Sequence, residues 1–447
     1  MRLILGFTLP TLLGMLFQQL YNMMDTMIVG KLLGATALAA VGSTGSINFF
    51  VIGFCMGVCN GFAIPVAQRM GAGDFSQMRR YVANAAYLAI LFALVLTVAT
   101  GLLCGTILTT MRTPADIYDG AYWYIFIIFM GIPATFLYNL LAAIIRALGD
   151  SKTPLFFLVL SSVLNVILDL FFILVMKLGV FGASLATVLS QAISGLLCLL
   201  FIAAKVPILH ISRDEWRMQS GRMKELCAYG VPMGLQFSIT AIGSVILQVA
   251  VNSLGSLSVA AVTAGGKVLN FLACPFDALG STMATYGAQN VGASKYERLN
   301  KGLYSASLMG CGYSLLAFAI AWFFGRSLIG LFVSGDSSAQ LIELARTHML
   351  INVLAYPLLT LVNVVRFMIQ GMGFSMFAIL AGVMEMIARS LAGMFLVPAL
   401  GFVGAAMGSP LAWVAADIFL VPAYFRCRRV LMSQAHHLHV TTRESGV

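Results

Sequence analysis

The sequence predicts an all-α polytopic membrane protein with twelve transmembrane helices in two pseudo-symmetric six-helix lobes. Three observations predict it. Hydrophobic residues make up 60% of the 447 and charged residues only 9%, whereas a soluble protein carries roughly 25% charge. Most of the chain must therefore face lipid or itself. The apolar residues gather into twelve continuous runs, each long enough to cross roughly 30 Å of hydrocarbon as a helix. Finally, the chain repeats itself at an offset of about 222 residues.

The runs cover approximately 6–30, 36–67, 82–110, 118–144, 153–176, 181–204, 224–252, 258–289, 302–333, 341–366, 374–397 and 402–425. Barrel strands are short and alternating. These runs are long and unbroken, so helices are the structure that satisfies their backbone in lipid. The first run follows Arg2 much as a secretory signal would. It has no small-residue cleavage site and continues through Asp25 to Val29, so it reads as a retained first span. Pro10 is placed to begin or kink that helix. Pro133, Pro275 and Pro357 fall inside later spans, where transporter helices are commonly discontinuous.

The repeat divides the chain. Leu33-Gly34-Ala35 matches Leu254-Gly255-Ser256, and Gln68-Arg69-Met70-Gly71-Ala72 matches Gln289-Asn290-Val291-Gly292-Ala293. Pro10 pairs with Pro232, Pro133 with Pro357, and Gly179-Val180-Phe181-Gly182-Ala183 with Gly401-Phe402-Val403-Gly404-Ala405. This gives an N-lobe over 1–204, a basic linker over 205–223, a C-lobe over 224–428 and a polar tail over 429–447. Six spans per half is an even number, so the repeats run parallel, an architecture of transporters that rock two lobes about a central cavity.

Charge sets the orientation. Nineteen Lys and Arg fall in one set of loops together with the termini, Arg366 among them. Only Lys31, Arg112, Lys177 and Arg326 fall in the opposite set. That bias places both termini in the cytoplasm. The net charge of +10 is spread between apolar runs with no dense patch beside aromatics, which argues against a nucleic-acid partner. The partners expected are the lipid bilayer and small molecules, with the chain as a monomer.

Carboxylates inside apolar spans carry the functional reading. An ionised Asp at the centre of a spanning helix costs about 2.5–3.5 kcal/mol on insertion scales, so one retained there marks a functional site by default. Gln18, Asn22 and Asp25 share one face of the first span. Asn165 and Asp169 lie one turn apart on the fifth. Thr187, Ser190, Gln191 and Ser194 form a stripe on the sixth. Converging, these stripes make an oxygen-rich site for sodium or for a proton shared between two carboxylates. Interhelical hydrogen bonds, worth about 0.6 kcal/mol each, account for the serines and Gln191 but not for two aspartates.

The second half differs. Glu385 and Arg389 lie one turn apart in the eleventh span, as an orienting pair or as a substrate or gating element. Lys267 snorkels or lines the cavity. Asn363 answers Asn139. The eight cysteines show no CxxC spacing and read as buried small residues. The His436, His437, His439 cluster reads as a solvated tail. His210 and His348 are isolated, and the chain has no HExxH or P-loop, which argues against a membrane enzyme. No cofactor is expected beyond H+ or Na+ as coupling ion.

The segment Gln18-Gln19-Leu20-Tyr21-Asn22-Met23-Met24-Asp25-Thr26 resembles the first helix of MATE (multidrug and toxic compound extrusion) transporters. Arg146-Ala147-Leu148-Gly149-Asp150-Ser151-Lys152-Thr153-Pro154 resembles their loop before the fifth helix. Asn165-Val166-Ile167-Leu168-Asp169 and Gly182 through Gln191 resemble the fifth and sixth helices. The resemblance covers nearly the whole chain. It implies a secondary antiporter in a bacterial cytoplasmic membrane, exporting cationic or amphiphilic compounds in exchange for H+ or Na+. It implies coupling at Asp25, Asn165, Asp169 and Thr187, with Pro10 as the bending proline. The NorM-like branch also uses a seventh-helix glutamate and a tenth-helix aspartate. Here the seventh span has Glu225 only at its start and the tenth offers Asn363, which points to the DinF-like branch. The chain starts nine residues before Pro10, so the family's usual polar leader is short or missing. Gln18, Asn22, Asn139, Gln191, Lys267, Asn363, Glu385 and Arg389 are the candidate cavity-lining residues. A lipid-linked precursor flippase of the same superfamily is the nearest alternative. It calls for a strongly basic cavity and commonly two more spans.

Overall fold

Hydrocarbon offers no water to a backbone amide, so each apolar run must close its hydrogen bonds within itself, and each run folds as helix. The computed structural model describes residues 1–111, 113, 115–331 and 338–444, with the backbone alone at 26, 27, 30, 35, 38, 39, 256, 338 and 434–444. Arg112 and the side chains of His436, His437, His439 and Arg443, which entered the sequence reading, lie outside the described residues.

The first half runs α1 (Arg2–Leu33), α2 (Ala35–Ser43), α3 (Gly45–Ala72), α4 (Phe75–Thr110), α5 (Tyr118–Met130), α6 (Ile132–Ala147), α7 (Lys152–Leu170) and α8 (Gly179–Lys205). The second runs α9 (Ser220–Asn252), α10 (Ser256–Gly292), α11 (Glu297–Gly330), α12 (Ser338–Leu354), α13 (Tyr356–Gly371) and α14 (Met376–Leu391). It ends with α15 (Val397–Leu400), α16 (Phe402–Ala406) and α17 (Gly408–Glu444). Ten helices are long and apolar enough to cross a membrane, and two bent pairs raise the number to twelve among the described residues.

Those bent pairs display the internal repeat. α5 and α6 meet at 48° and α12 and α13 at 51°, with Pro133 and Pro357 at the start of the second helix in each. Proline fits that first turn because its missing N–H would be unbonded there anyway. The two Leu-Gly motifs repeat for a backbone reason. Gly34 has φ 87° and ψ −179°, and Gly255 has φ 94° and ψ 168°, a region that is essentially glycine-only. A π-turn follows α7 at Phe171–Val175 and another follows α14 at Ala392–Leu396.

The chain forms two compact units, Leu13–Ser238 and Met1–Leu12 with Ile239–Val447. This division differs from the one drawn from sequence at the 205–223 linker. The chain passes between units inside α1 at Leu12–Leu13, two residues after Pro10, and inside α9 at Ser238–Ile239, six residues after Pro232.

In the Leu13–Ser238 unit, α3 and the start of α9 pack backbone to backbone. A Cβ on Gly61 would lie 2.5 Å from the Gly230 Cα, and one on Gly57 2.5 Å from the Met233 carbonyl. Small residues four apart on both helices allow this approach. The linker folds back onto the start of α4. Glu215 accepts from Arg79 Nε at 2.7 Å, from the Ser76 hydroxyl at 3.1 Å and from the Ser212 amide at 2.9 Å. The Arg79 guanidinium, with those donors, holds the Glu215 carboxyl down to about 2. In the other unit, Ile4 is buried in the core formed by α10–α13 and α17, and Thr8 hydrogen-bonds Thr282 at 2.9 Å.

Candidate functional site

Three helices of the Leu13–Ser238 unit assemble the polar site. On α1, Tyr21 and Asp25 are one turn apart and so share a face. On α7, Asn165 and Asp169 share a face, and both are fully buried. α8 packs along α7 and supplies Thr187.

The Asp25 and Asp169 carboxyl groups lie within interaction range of each other. Two carboxyl groups so placed can hydrogen-bond only if one of them carries a proton. The Asn165 amide, assigned by its hydrogen-bond partners, donates to Asp169 Oδ2 at 2.8 Å. Its oxygen lies 3.2 Å from Thr187 Oγ1 and 3.3 Å from the Tyr21 hydroxyl. One oxygen of each aspartate, Oδ1 in both, is buried without a hydrogen-bond partner. Among the described residues neither aspartate is ion-paired with a lysine, arginine or histidine. The arrangement is therefore all oxygen acceptors and neutral donors around an uncompensated carboxyl pair. Such a set suits a proton or a hard monovalent cation.

All four residues that the resemblance assigns to coupling meet here. Tyr21 and Tyr124 were missed by sequence reasoning, and both phenols lie within electrostatic range of Asp25 and Asp169. Tyr21 was detectable, being four residues before Asp25. Nothing in the sequence signals Tyr124 on α5. The other predicted lining residues are placed as follows. Gln18 is part-buried and Asn22 exposed. Asn139 donates to the Thr135 carbonyl at 2.8 Å, and the Thr135 hydroxyl donates to Gln191 at 2.8 Å.

The other unit holds a second polar cluster, of different character. Arg389 donates to Glu385 at 3.0 Å, and Arg366 pairs with the same carboxylate. Arg366, counted above among the loop cations, is instead buried inside α13 at 5% exposure. A guanidinium held by a buried carboxylate is not a topology signal, so it leaves the loop-charge count. Asn363 donates to Asp277 of α10 at 3.1 Å. Lys267 is exposed. Asp277 and Asp417 lie inside the predicted runs 258–289 and 402–425. The carboxylate-in-span rule that picks out Asp25 applies to them equally, and the sequence reading passes over both.

A family model described as MatE matches residues 10–171 and 232–396. The probable multidrug resistance protein YpnP of Bacillus subtilis (strain 168) is 30% identical over 330 residues, 73% of each chain. An FAD transporter of Shewanella oneidensis is 23% identical over 366 residues, 79% of this chain and 78% of its own. The solved outward-facing structure of a multidrug resistance MATE family transporter of the MOP superfamily superposes with a TM-score of 0.90 at 21% identity, over 96% of both chains. That likeness establishes the twelve-span fold. The match in both halves, together with the relative at 30% identity, shows that the chain belongs to the MatE family, whose members are multi-pass membrane transporters and not enzymes.

Proposed function

We propose that this protein is a secondary antiporter that exports cationic or amphiphilic small molecules in exchange for H+ or Na+, with coupling at Asp25 and Asp169. The observation that carries this reading is the buried carboxyl pair with no basic partner among the described residues. A structural pair would be neutralised by the protein itself, because an uncompensated buried charge is costly. A pair left uncompensated is completed by a mobile cation. Asn165 holds Asp169 in place, Thr187 and Tyr21 hold Asn165, and the bound ion is the variable. Occupancy then biases which conformation is favoured. Pro10 provides the bend in α1 that carries Asp25, and rocking of the two lobes alternates access. The oxygen set serves H+ and Na+ alike.

Loop charge supports cytoplasmic termini even without Arg366, and the bacterial relatives support a bacterial cytoplasmic membrane. The missing seventh-helix glutamate and tenth-helix aspartate support the DinF-like branch. The FAD-transporting relative favours one second reading, export of a metabolite by the same ion coupling.

The test is efflux of a fluorescent cationic dye from cells that lack their own pumps. The wild type should lower dye retention relative to the empty host, and Asp25→Asn should restore it. Equal retention in all three, with the protein present in the membrane, would refute drug export and turn attention to metabolites.

A further inference from the structure

We propose that Asp417 is a second proton-binding site, in the Ile239–Val447 unit and built from residues separate from the Asp25–Asp169 pair. Five ionisable groups meet there: Asp277 on α10, Arg366 on α13, Glu385 and Arg389 on α14, and Asp417 on α17. Three carboxylates face two guanidiniums, so the cluster carries one surplus negative charge when every group is ionised.

The hydrogen bonds identify which carboxylate holds the surplus. Glu385 takes both arginines, one on each oxygen. Asp277 is exposed and accepts from Asn363. Asp417 is 8% exposed, and both of its carboxyl oxygens are buried with no hydrogen-bond partner. It lies within electrostatic range of Arg366 and Glu385. An ionised carboxylate with neither oxygen solvated nor bonded is strongly disfavoured. A proton removes that cost and cancels the surplus charge in one step.

Among the described residues the neighbours of α17 leave no other group to do this: on α11, whose Asn300 accepts from Tyr424 of α17, Glu297, Arg298 and Lys301 are exposed. α13 contributes Arg366, and α14 contributes Glu385 and, through it, Arg389. On α12, Glu343 pairs with Arg326, Arg346 stacks over Trp322, and the His348 ring lies against Phe402. α16 and the π-turn at Ala392–Leu396 carry no ionisable residue.

The same contacts show what the proton controls. Arg366 Nε has no partner, and neither do Arg389 Nε and Nη1, so the guanidiniums have spare donors. With Asp417 protonated, Arg366 stays on Glu385. When the proton leaves, Asp417 competes for Arg366, and Arg389 alone remains to neutralise Glu385. Proton occupancy therefore selects between two ion-pair arrangements joining α13, α14 and α17, an element of the kind that switches use. Its use in transport rests on the antiporter reading above; the occupancy does not.

The experiment is an infrared pH titration of the purified full chain in detergent, following the C=O stretch of protonated carboxyl groups. The Asp25→Asn/Asp169→Asn double variant removes the other pair from the spectrum. In that background, above about pH 6 where exposed carboxyls are ionised, one protonated-carboxyl band should remain and vanish as pH rises further. Adding Asp417→Asn should delete it, and adding Asp277→Asn should leave it. Asp417→Glu, which keeps the acid, should shift the band, and this decides the matter if Asp417→Asn does not fold. Three results would each overturn the proposal: no such band in the folded background above about pH 6, a band there indifferent to both Asp417 substitutions, or one removed by Asp277→Asn. The band is read without transport, so a chain that exports nothing would refute the antiporter and leave this site standing.

Discussion

The Asp25–Asp169 pair and Glu385, one in each unit, meet the problem of buried charge in opposite ways. In Leu13–Ser238, Asp25 and Asp169 face each other, Asn165, Thr187 and two phenols, with no cation from the protein among the described residues. In the other unit, Glu385 is clamped by Arg366 and Arg389. A carboxylate neutralised by the protein's own guanidiniums needs no bound ion. A pair left for something else to neutralise is a binding site. The internal repeat sharpens this contrast, because the bends, glycine turns and π-turns recur in both halves while the charges do not.

The contrast makes an ordered set of predictions on stability. Glu385→Gln strands two buried arginines and should cost about 3–5 kcal/mol, read as a large drop in thermal midpoint or in yield of folded protein. Glu215→Gln breaks the charge-assisted contacts that dock the linker and should cost about 1.5–3 kcal/mol, read as faster proteolysis within 206–219. Its pH dependence has a definite sign. The Glu215 carboxyl sits at about 2 in the folded chain, below its ordinary value of about 4.3. Its stabilisation is therefore complete above roughly pH 4.3 and is lost as pH falls toward about 2. Linker protection in the wild type should fade over that window, and Glu215→Gln should abolish the change.

Asn165→Ala removes one hydrogen bond to Asp169 and the acceptor for Thr187 and Tyr21. It should cost about 1–2 kcal/mol in the midpoint and raise the ion concentration needed for half-maximal efflux. Asp169→Asn should change the thermal midpoint least of all, because it removes a charge that the protein does not itself compensate, and yet it should stop efflux. A large destabilisation by Asp169→Asn, or none by Glu385→Gln, would break the contrast.

Much of this was legible from residue type and spacing. Run length gave the spans because a helix must cross the whole bilayer. Pro133 and Pro357 marked the two bends because proline starts a helix more readily than it continues one. Asp25, Asn165 and Asp169 stood out because carboxylates are rare in apolar runs and Asn165 shares a helix face with Asp169, whereas Thr187 was singled out of its polar stripe by the family resemblance. The π-turns after Asp169 and Arg389 were not legible, since one extra residue in a turn has no composition. Nor were the unit boundaries inside α1 and α9, where a continuous helix leaves one core and enters another with no break in hydropathy. Arg366 sat at the edge of a run and read as a loop cation, because its partner Glu385 comes from another helix. Tyr124 was hidden because tyrosine is ordinary near membrane interfaces.

The most direct test is gradient-driven exchange in proteoliposomes, with H+ or Na+ imposed singly. Wild-type protein should move a cationic dye against its gradient with one of the two ions. Asp25→Asn and Asp169→Asn, each folded and inserted, should move none, while Arg389→Lys, which keeps the charge on Glu385, should retain exchange. Gradient-driven exchange that survives in the Asp25→Asn/Asp169→Asn double variant would contradict the account.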